Sequence, residues 1–358
     1  MKPIVLTLVG LGLLGFLVAA SGLFPIAASS GHLAPVEWLL QFGKRRSVAT
    51  HAWLSVPPLT FDEPWLVLKG AGHFETACRP CHGSPDVRQP RIAQSMLPPP
   101  PYLPDRIAAW DADELFYIVK HGLKFTGMPA WPAQERDDEV RATVAFLRAL
   151  PELDAGEYER LVHGEVGPNR AVAPVADLLG APPAPRAITA TCARCHGADG
   201  RGRGNAAFPA IAGQSSDYLH AALVAYERGE RRSGMMQPIA AALDERETRA
   251  LADWYARLPP GPVESHEPAA VERGRVIATR GIPATRVPAC EKCHGPGRRA
   301  DYPRLAGQYA DYLVLQLELF RDQRRGGSRF AHLMSSVAPR LTPAQMRDVA
   351  AFYASRTP

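Results

Sequence analysis

Cysteine is scarce in this chain, with six among 358 residues, and none of the six stands outside a pair. No run alternates apolar and polar residues over a useful strand length, which argues against a sheet fold. No recognisable nucleic-acid module is present, and a formal charge of +5 is too modest to argue for one. A disordered chain is excluded as well, because 46% hydrophobic and 22% charged residues is an ordinary globular composition. Proline, by contrast, is abundant at 35 residues, which points to long ordered loops and linkers. At about 100–200 residues per domain, the length suggests two to three domains.

The cysteines fall as Cys78 and Cys81, Cys192 and Cys195, Cys290 and Cys293. Two residues separate the members of each pair, and His82, His196 or His294 follows directly. A structural zinc site would want two pairs per metal, whereas these pairs lie about 100 residues apart, each with its own His. A thioredoxin-type pair would not need the His. A disulfide scaffold would not repeat one spacing three times. Covalent haem attachment needs this arrangement. On the first turn of a helix, residues i and i+3 share a face, so two thiols can reach two vinyl groups. The adjacent imidazole then becomes the proximal iron ligand. Three complete motifs imply three covalent haems c.

The first residues form a second unusual feature. After Lys2 no charge occurs from Pro3 to Gly31, and Ile4 to Leu23 is densest in Leu, Val and Gly. A membrane span needs about 20 apolar residues and a cleaved signal about 7–15. The length favours an uncleaved single-pass anchor over 1–31. Ala27, Ala28 and Ser29 offer the alternative of a cleavage site. Lys44, Arg45 and Arg46 beyond the span run against the positive-inside tendency. Haem attachment nevertheless places the domains outside the cytoplasm, tethered to a bacterial inner membrane and facing the periplasm.

Residues 32–60 read as a connector with a short amphipathic helix over Val36–Phe42. The first domain covers 61–154, with a helical stretch before Cys78 and a closing helix carrying Val140, Val144, Phe146, Leu147 and Leu150. Pro98 to Pro101 must form an extended loop. A proline-rich linker with one short helix covers 155–185. Domains two and three, 186–260 and 261–358, form an internal repeat divided by the breakers Pro259 to Pro262. Phe208 to Leu219 aligns with Tyr302 to Leu313, sharing Pro209/Pro303, the Ala-Gly-Gln of residues 212–214 and 306–308, and Asp-Tyr-Leu at both ends. The cysteines are offset by 98 and these segments by 94, so two loop-length changes compensate. Asp244 and Thr342 are suited to cap the two last helices. The fold class is all-α: three tandem domains after a transmembrane helix.

Methionine decides what the irons can do. Iron held by His alone keeps an open face, while His/Met iron is closed and of raised potential, suited to electron transfer. His196 to Met236 and His294 to Met334 both span 40 positions, and each Met precedes an aligned Leu by seven. Met128 lies in a Gly-Met-Pro loop before the closing helix of domain one. Met128, Met236 and Met334 are therefore the candidate axial ligands, with His121 and His332 as rivals. Met346 is better suited to a core.

At these residues the chain resembles the class I cytochrome c family over about residues 65–150 and 186–358, and its C-terminal pair resembles dihaem members. The resemblance implies low-spin His/Met haems and periplasmic electron transfer. It also implies that Pro209 and Pro303 accept the proximal His Nδ1–H, and that Gly70 or Gly274 faces Phe146 or Phe352. Pro182, Pro183 and Pro185 leave the first helix of domain two short or displaced. The implied function is electron relay between a quinol-linked complex, dehydrogenase or terminal oxidase and a further redox protein, without catalysis of its own. The alternative is a cytochrome subunit of such an enzyme, and a haem peroxidase or ligand sensor is a third reading.

Overall fold

The computed structural model describes residues 2–23, 26–164, 192–261, 263–297 and 299–357. Among them the one β feature is an isolated antiparallel bridge between Ile282 and Val287. Everything else is helix, turn and loop.

Helix α1, Lys2–Ala20, is 19 residues long and wholly exposed. At 1.5 Å per residue it is about 28 Å long, near the thickness of a bilayer core. It stops before Leu23, where Gly22 takes a φ of 69°. Helix α2, Ala34–Ser55, is three times longer than the Val36–Phe42 segment expected from local pattern. Its second half is held by tertiary contact. Val48 and Ala52, four apart, are buried, and Arg45 donates to Ala109 O at 3.1 Å. The connector is thus mostly helix, and extended chain begins at Val56.

In the first domain, α3 (Leu66–His73) crosses α5 (Asp137–Ala149), while α4 (Ala112–His121) packs beside both α2 and α5. Phe74, Phe116, Val140, Val144, Phe146, Leu147 and Leu150 fill the core. The crossing needs a residue without a side chain. A Cβ on Gly70 would lie 2.1 Å from Ala142 O and 2.7 Å from Phe146 Cβ. Helix α6, Ala155–His163, is a short helix just past the expected boundary at 154. Its Tyr158 and Val162 are buried in the same core, and Tyr158 donates to Glu75 Oε2 at 2.6 Å. The first domain therefore runs to His163, and the rest of the expected linker, with Pro182, Pro183 and Pro185, lies outside the described residues.

The repeat is visible as matched helices. Domain two has α7 (Ser216–Glu227), α8 (Met236–Ala240) and α9 (Glu245–Arg257). Domain three opens on α10 (Pro268–Arg280) and continues with α11 (Ala310–Arg321), α12 (Ala331–Val337) and α13 (Pro343–Ala354). Asp244 and Thr342 cap α9 and α13 through full capping boxes. Gly274 stands against Phe352, as Gly70 does against Phe146: its Cβ would lie 2.0 Å from Asp348 O and 2.8 Å from Phe352 Cβ.

The three domains touch one another. Domains two and three exchange hydrogen bonds reciprocally. Gln214 bonds the backbone of Arg304 at 2.6 and 3.0 Å, and Gln308, its repeat equivalent, bonds the backbone of Ala210 at 2.8 and 3.0 Å. Domain one reaches domain three through Trp65 Nε1, 3.2 Å from Asp311 Oδ2.

Candidate haem-attachment sites

Each cysteine pair sits at the start of a one-turn helix that ends on its histidine: Arg79–His82, Ala193–His196 and Glu291–His294. The first is approached through a π-helical turn, Phe74–Cys78. No disulfide joins any of the six cysteines. Burial raises Cys78 to about 12 and Cys192, Cys195 and Cys290 to about 11. Among the described residues no group of three or more His, Cys, Asp or Glu converges on a point that could hold a metal ion.

The histidines are fixed in one common way. His82 Nδ1 lies 2.9 Å from Pro101 O, His196 Nδ1 3.0 Å from Pro209 O, and His294 Nδ1 3.0 Å from Pro303 O. A ring that donates from Nδ1 keeps the Nε2 lone pair for a metal. Burial lowers the pKa of all three, against a raising effect of the proline carbonyls. Aromatic rings stand beside two of them: Phe208 at 6.4 Å from His196 and Tyr302 at 6.0 Å from His294. Paired thiols and an imidazole held through Nδ1 are the donor set that covalent haem requires, so these residues fit the group.

Pro101 is the acceptor that sequence reasoning did not select. It is the last of four consecutive prolines, and its distance from the histidine, 19 positions against 13 and 9, hides the correspondence. The signal available was the Pro immediately before Tyr102, which ends the run.

The methionines occupy different settings. Met128 lies in the loop between α4 and α5, with its N–H donating to Thr126 Oγ1 at 3.0 Å. Met236 begins α8 and its N–H donates to Ser233 Oγ at 3.1 Å. Met334 lies on α12, packed against Phe320, Ala331 and Ala338. All three are half-buried. Met235 packs instead against both the first-domain core and the cluster containing Phe208. Met96 also approaches a site loop, because a Cβ on Gly127 would meet its Cε at 2.1 Å. Of the rivals, His121 and His332 are exposed, and His121 packs at a tilt against Tyr117, 4.7 Å between ring centres. His220 is paired with Glu245 Oε1 at 2.8 Å. Met346 is fully buried in the third core.

A helical fold built around Cys-x-x-Cys-His segments with carbonyl-anchored imidazoles defines a c-type cytochrome. Residues 66–147 match the family described as cytochrome c oxidase, cbb3-type, subunit III. Residues 184–258 and 271–356 match the family described as cytochrome c. Cytochrome c-552 of Acidithiobacillus ferridurans is 38% identical over 180 residues, 48% of this chain and 76% of that protein. The thiosulfate dehydrogenase electron acceptor of Thiomonas intermedia is 36% identical over 195 residues, 52% of this chain and 89% of that protein. Cytochrome c4 of Thiocapsa roseopersicina is 32% identical over 166 residues, 45% and 84% of the two chains. The chain belongs to the class I cytochrome c family. It is a c-type cytochrome that carries covalent haem c and transfers electrons.

Proposed function

We propose that this protein is a three-haem electron carrier anchored in a bacterial inner membrane, with its haem domains in the periplasm. Cys78 and Cys81, Cys192 and Cys195, and Cys290 and Cys293 hold the porphyrins. His82, His196 and His294 are the proximal ligands, oriented by Pro101, Pro209 and Pro303, and Met128, Met236 and Met334 are the distal ligands. When bound, each haem supplies a one-electron iron couple, and a thioether ligand keeps its potential high and its iron closed. The observation that carries this reading is the threefold recurrence of an imidazole anchored through Nδ1 to a proline carbonyl.

Helix α1 supports the membrane anchor by length and exposure. The start of α2 adds exposed apolar side chains close behind it, among them Trp38, Leu39, Leu40 and Phe42. Domain one then sits nearest the membrane in the chain. The protein adds no catalysis of its own and relays electrons from a quinol-linked complex or a dehydrogenase towards a terminal oxidase. The alternative, a resident cytochrome subunit of such a complex, is supported by the relative that serves as an electron acceptor for thiosulfate dehydrogenase and by the oxidase-subunit match of domain one.

Haem staining after denaturing electrophoresis, with a quantified haem-to-protein ratio, tests the reading. The expected ratio is three, and a ratio of one or zero ends it. Carbon monoxide should bind none of the reduced haems strongly; strong binding at one haem would favour a peroxidase or ligand sensor.

A further inference from the structure

Glu139 is the third residue of α5, and from the sequence it is one of three acids in a first helical turn. In the fold it is 2% exposed. Its carboxylate accepts four donors from two domains. Within domain one, Trp131 Nε1 donates to Oε2 at 3.2 Å, and Arg136 Nη2 lies 2.9 Å from Oε1. From domain two, Ser233 Oγ donates to Oε1 and Gly234 N to Oε2, both at 2.6 Å. Arg136 also donates to Arg232 O at 2.7 Å.

Both sets of contacts end at loops that carry candidate axial ligands. Trp131 lies three residues after Met128, in the same short loop. Ser233 Oγ, while donating to Glu139, accepts the N–H groups of Met235 and Met236 at 3.3 and 3.1 Å. The fit between the loops is tight: a Cβ on Gly234 would fall 2.1 Å from Trp131 Nε1. Met235 closes the contact by packing into the first-domain core.

We propose that Glu139 is a positioning residue shared by two haem sites, its one carboxylate fixing both the Met128 loop and the Met236 loop. The proposal rests on the assignment of those methionines as ligands. Outer hydrogen-bond partners set the orientation of iron ligands, and a single rigid group bonded to two loops makes their positions interdependent. The first and second haems thus have environments set jointly, and domain one is locked to domain two at the sites where electrons pass. Among the described residues, none of the four donors to Glu139 comes from domain three.

The test is spectroelectrochemistry of the full-length holoprotein, with the far-red iron–sulfur charge-transfer band as a second readout. Glu139→Gln retains the shape but replaces acceptor capacity with an amide N–H₂, so it cannot receive all four donors. The expected result is a shift of two of the three potentials, with weakening or displacement of two of three shares of the band. The third haem should be unchanged. Trp131→Phe should perturb the first haem more than the second, and Ser233→Ala the second more than the first; these two test each arm separately should Glu139→Gln fail to fold. Met128→Leu and Met236→Leu should each delete one share of the band. An intact band in either of these overturns the ligand assignment and the proposal with it. Loss there, combined with unchanged potentials and band in Glu139→Gln, overturns the proposal alone. Equal shifts at all three haems would also overturn it, as they mark general loosening.

Discussion

Met235 and Met236 are neighbours with different surroundings. Met236 begins α8 at the position that corresponds to Met334 in the repeat, while Met235 packs between domain one and Phe208. Its repeat counterpart, Leu333, is 40% exposed. Met236→Leu should lower the potential of the second haem, admit carbon monoxide and remove one share of the far-red band. Met235→Leu, nearly equal in volume, should leave band and potential intact and cost less than about 1.5 kcal/mol of stability. The opposite pattern would show that the repeat alignment slips by one residue.

A second residue should be visible in the pH dependence of stability. Burial lowers His73 to about 4, beside Trp131 at 4.5 Å. In the unfolded chain the same imidazole titrates near 6.5. Between those values the unfolded state binds the extra proton, so stability is full above about pH 6.5 and falls as pH drops towards 4. The loss is at most about 3 kcal/mol. Denaturant midpoints of the wild type and His73→Phe, compared at pH 7 and 4.5, should show a smaller drop in the variant. Equal drops would exclude His73 as the cause. Neither this burial nor the role of Glu139 is legible in the sequence, where His73 ends a helix and Glu139 sits in an acidic first turn. By contrast, the cysteines and the histidines that follow them are legible from short spacings, while Pro209 and Pro303 are selected through the family resemblance.

At the scale of elements, the helix crossings depend on two glycines. Gly274 has no room for a methyl group because Asp348 O, a backbone atom, stands 2.0 Å from its Cβ position. Gly274→Ala should force α10 and α13 apart and destabilise domain three by about 1–3 kcal/mol or more. Gly43 is a useful contrast, lying inside α2 with nothing within 4 Å of its Cβ position. Gly43→Ala should be neutral or stabilise by up to about 1 kcal/mol through helix propensity. A comparable loss in both variants, measured by denaturant unfolding, would refute the crossing argument. Most of these helices are legible in apolar periodicity and caps. The second half of α2 is not, because its buried stripe is two residues, Val48 and Ala52, and its partner lies far along the chain. Nor is the membership of α6 in the first core, which depends on Tyr158 and Val162 finding Phe74 and Phe146.

For the whole molecule, charge is unevenly divided. From Ala269 to Pro358 there are 15 Lys/Arg and 7 Asp/Glu, a formal +8, while Trp65 to Ala155 has 10 and 12, a formal −2. Haem propionates reduce the first figure without reversing it. Domain three is therefore expected to dock an acidic redox partner, and electron-transfer rates with such a partner should fall as salt is added. A flat salt profile would reduce the basic face to a solvated surface.

What the sequence by itself determined is local: three Cys-x-x-Cys-His segments, and that two of the domains are copies. These follow from bonds and spacings spanning a few residues, and from a repeat that can be aligned without coordinates. Tertiary structure decided how the copies and the first domain meet. The Gln214 and Gln308 exchange joins residues 90 and 98 positions apart, and Glu139 meets Gly234 across 95. Contacts of that separation depend on which surfaces remain uncovered after each domain has closed its own core. No local pattern encodes that outcome, because the same acid, amide or glycine would serve equally well in water.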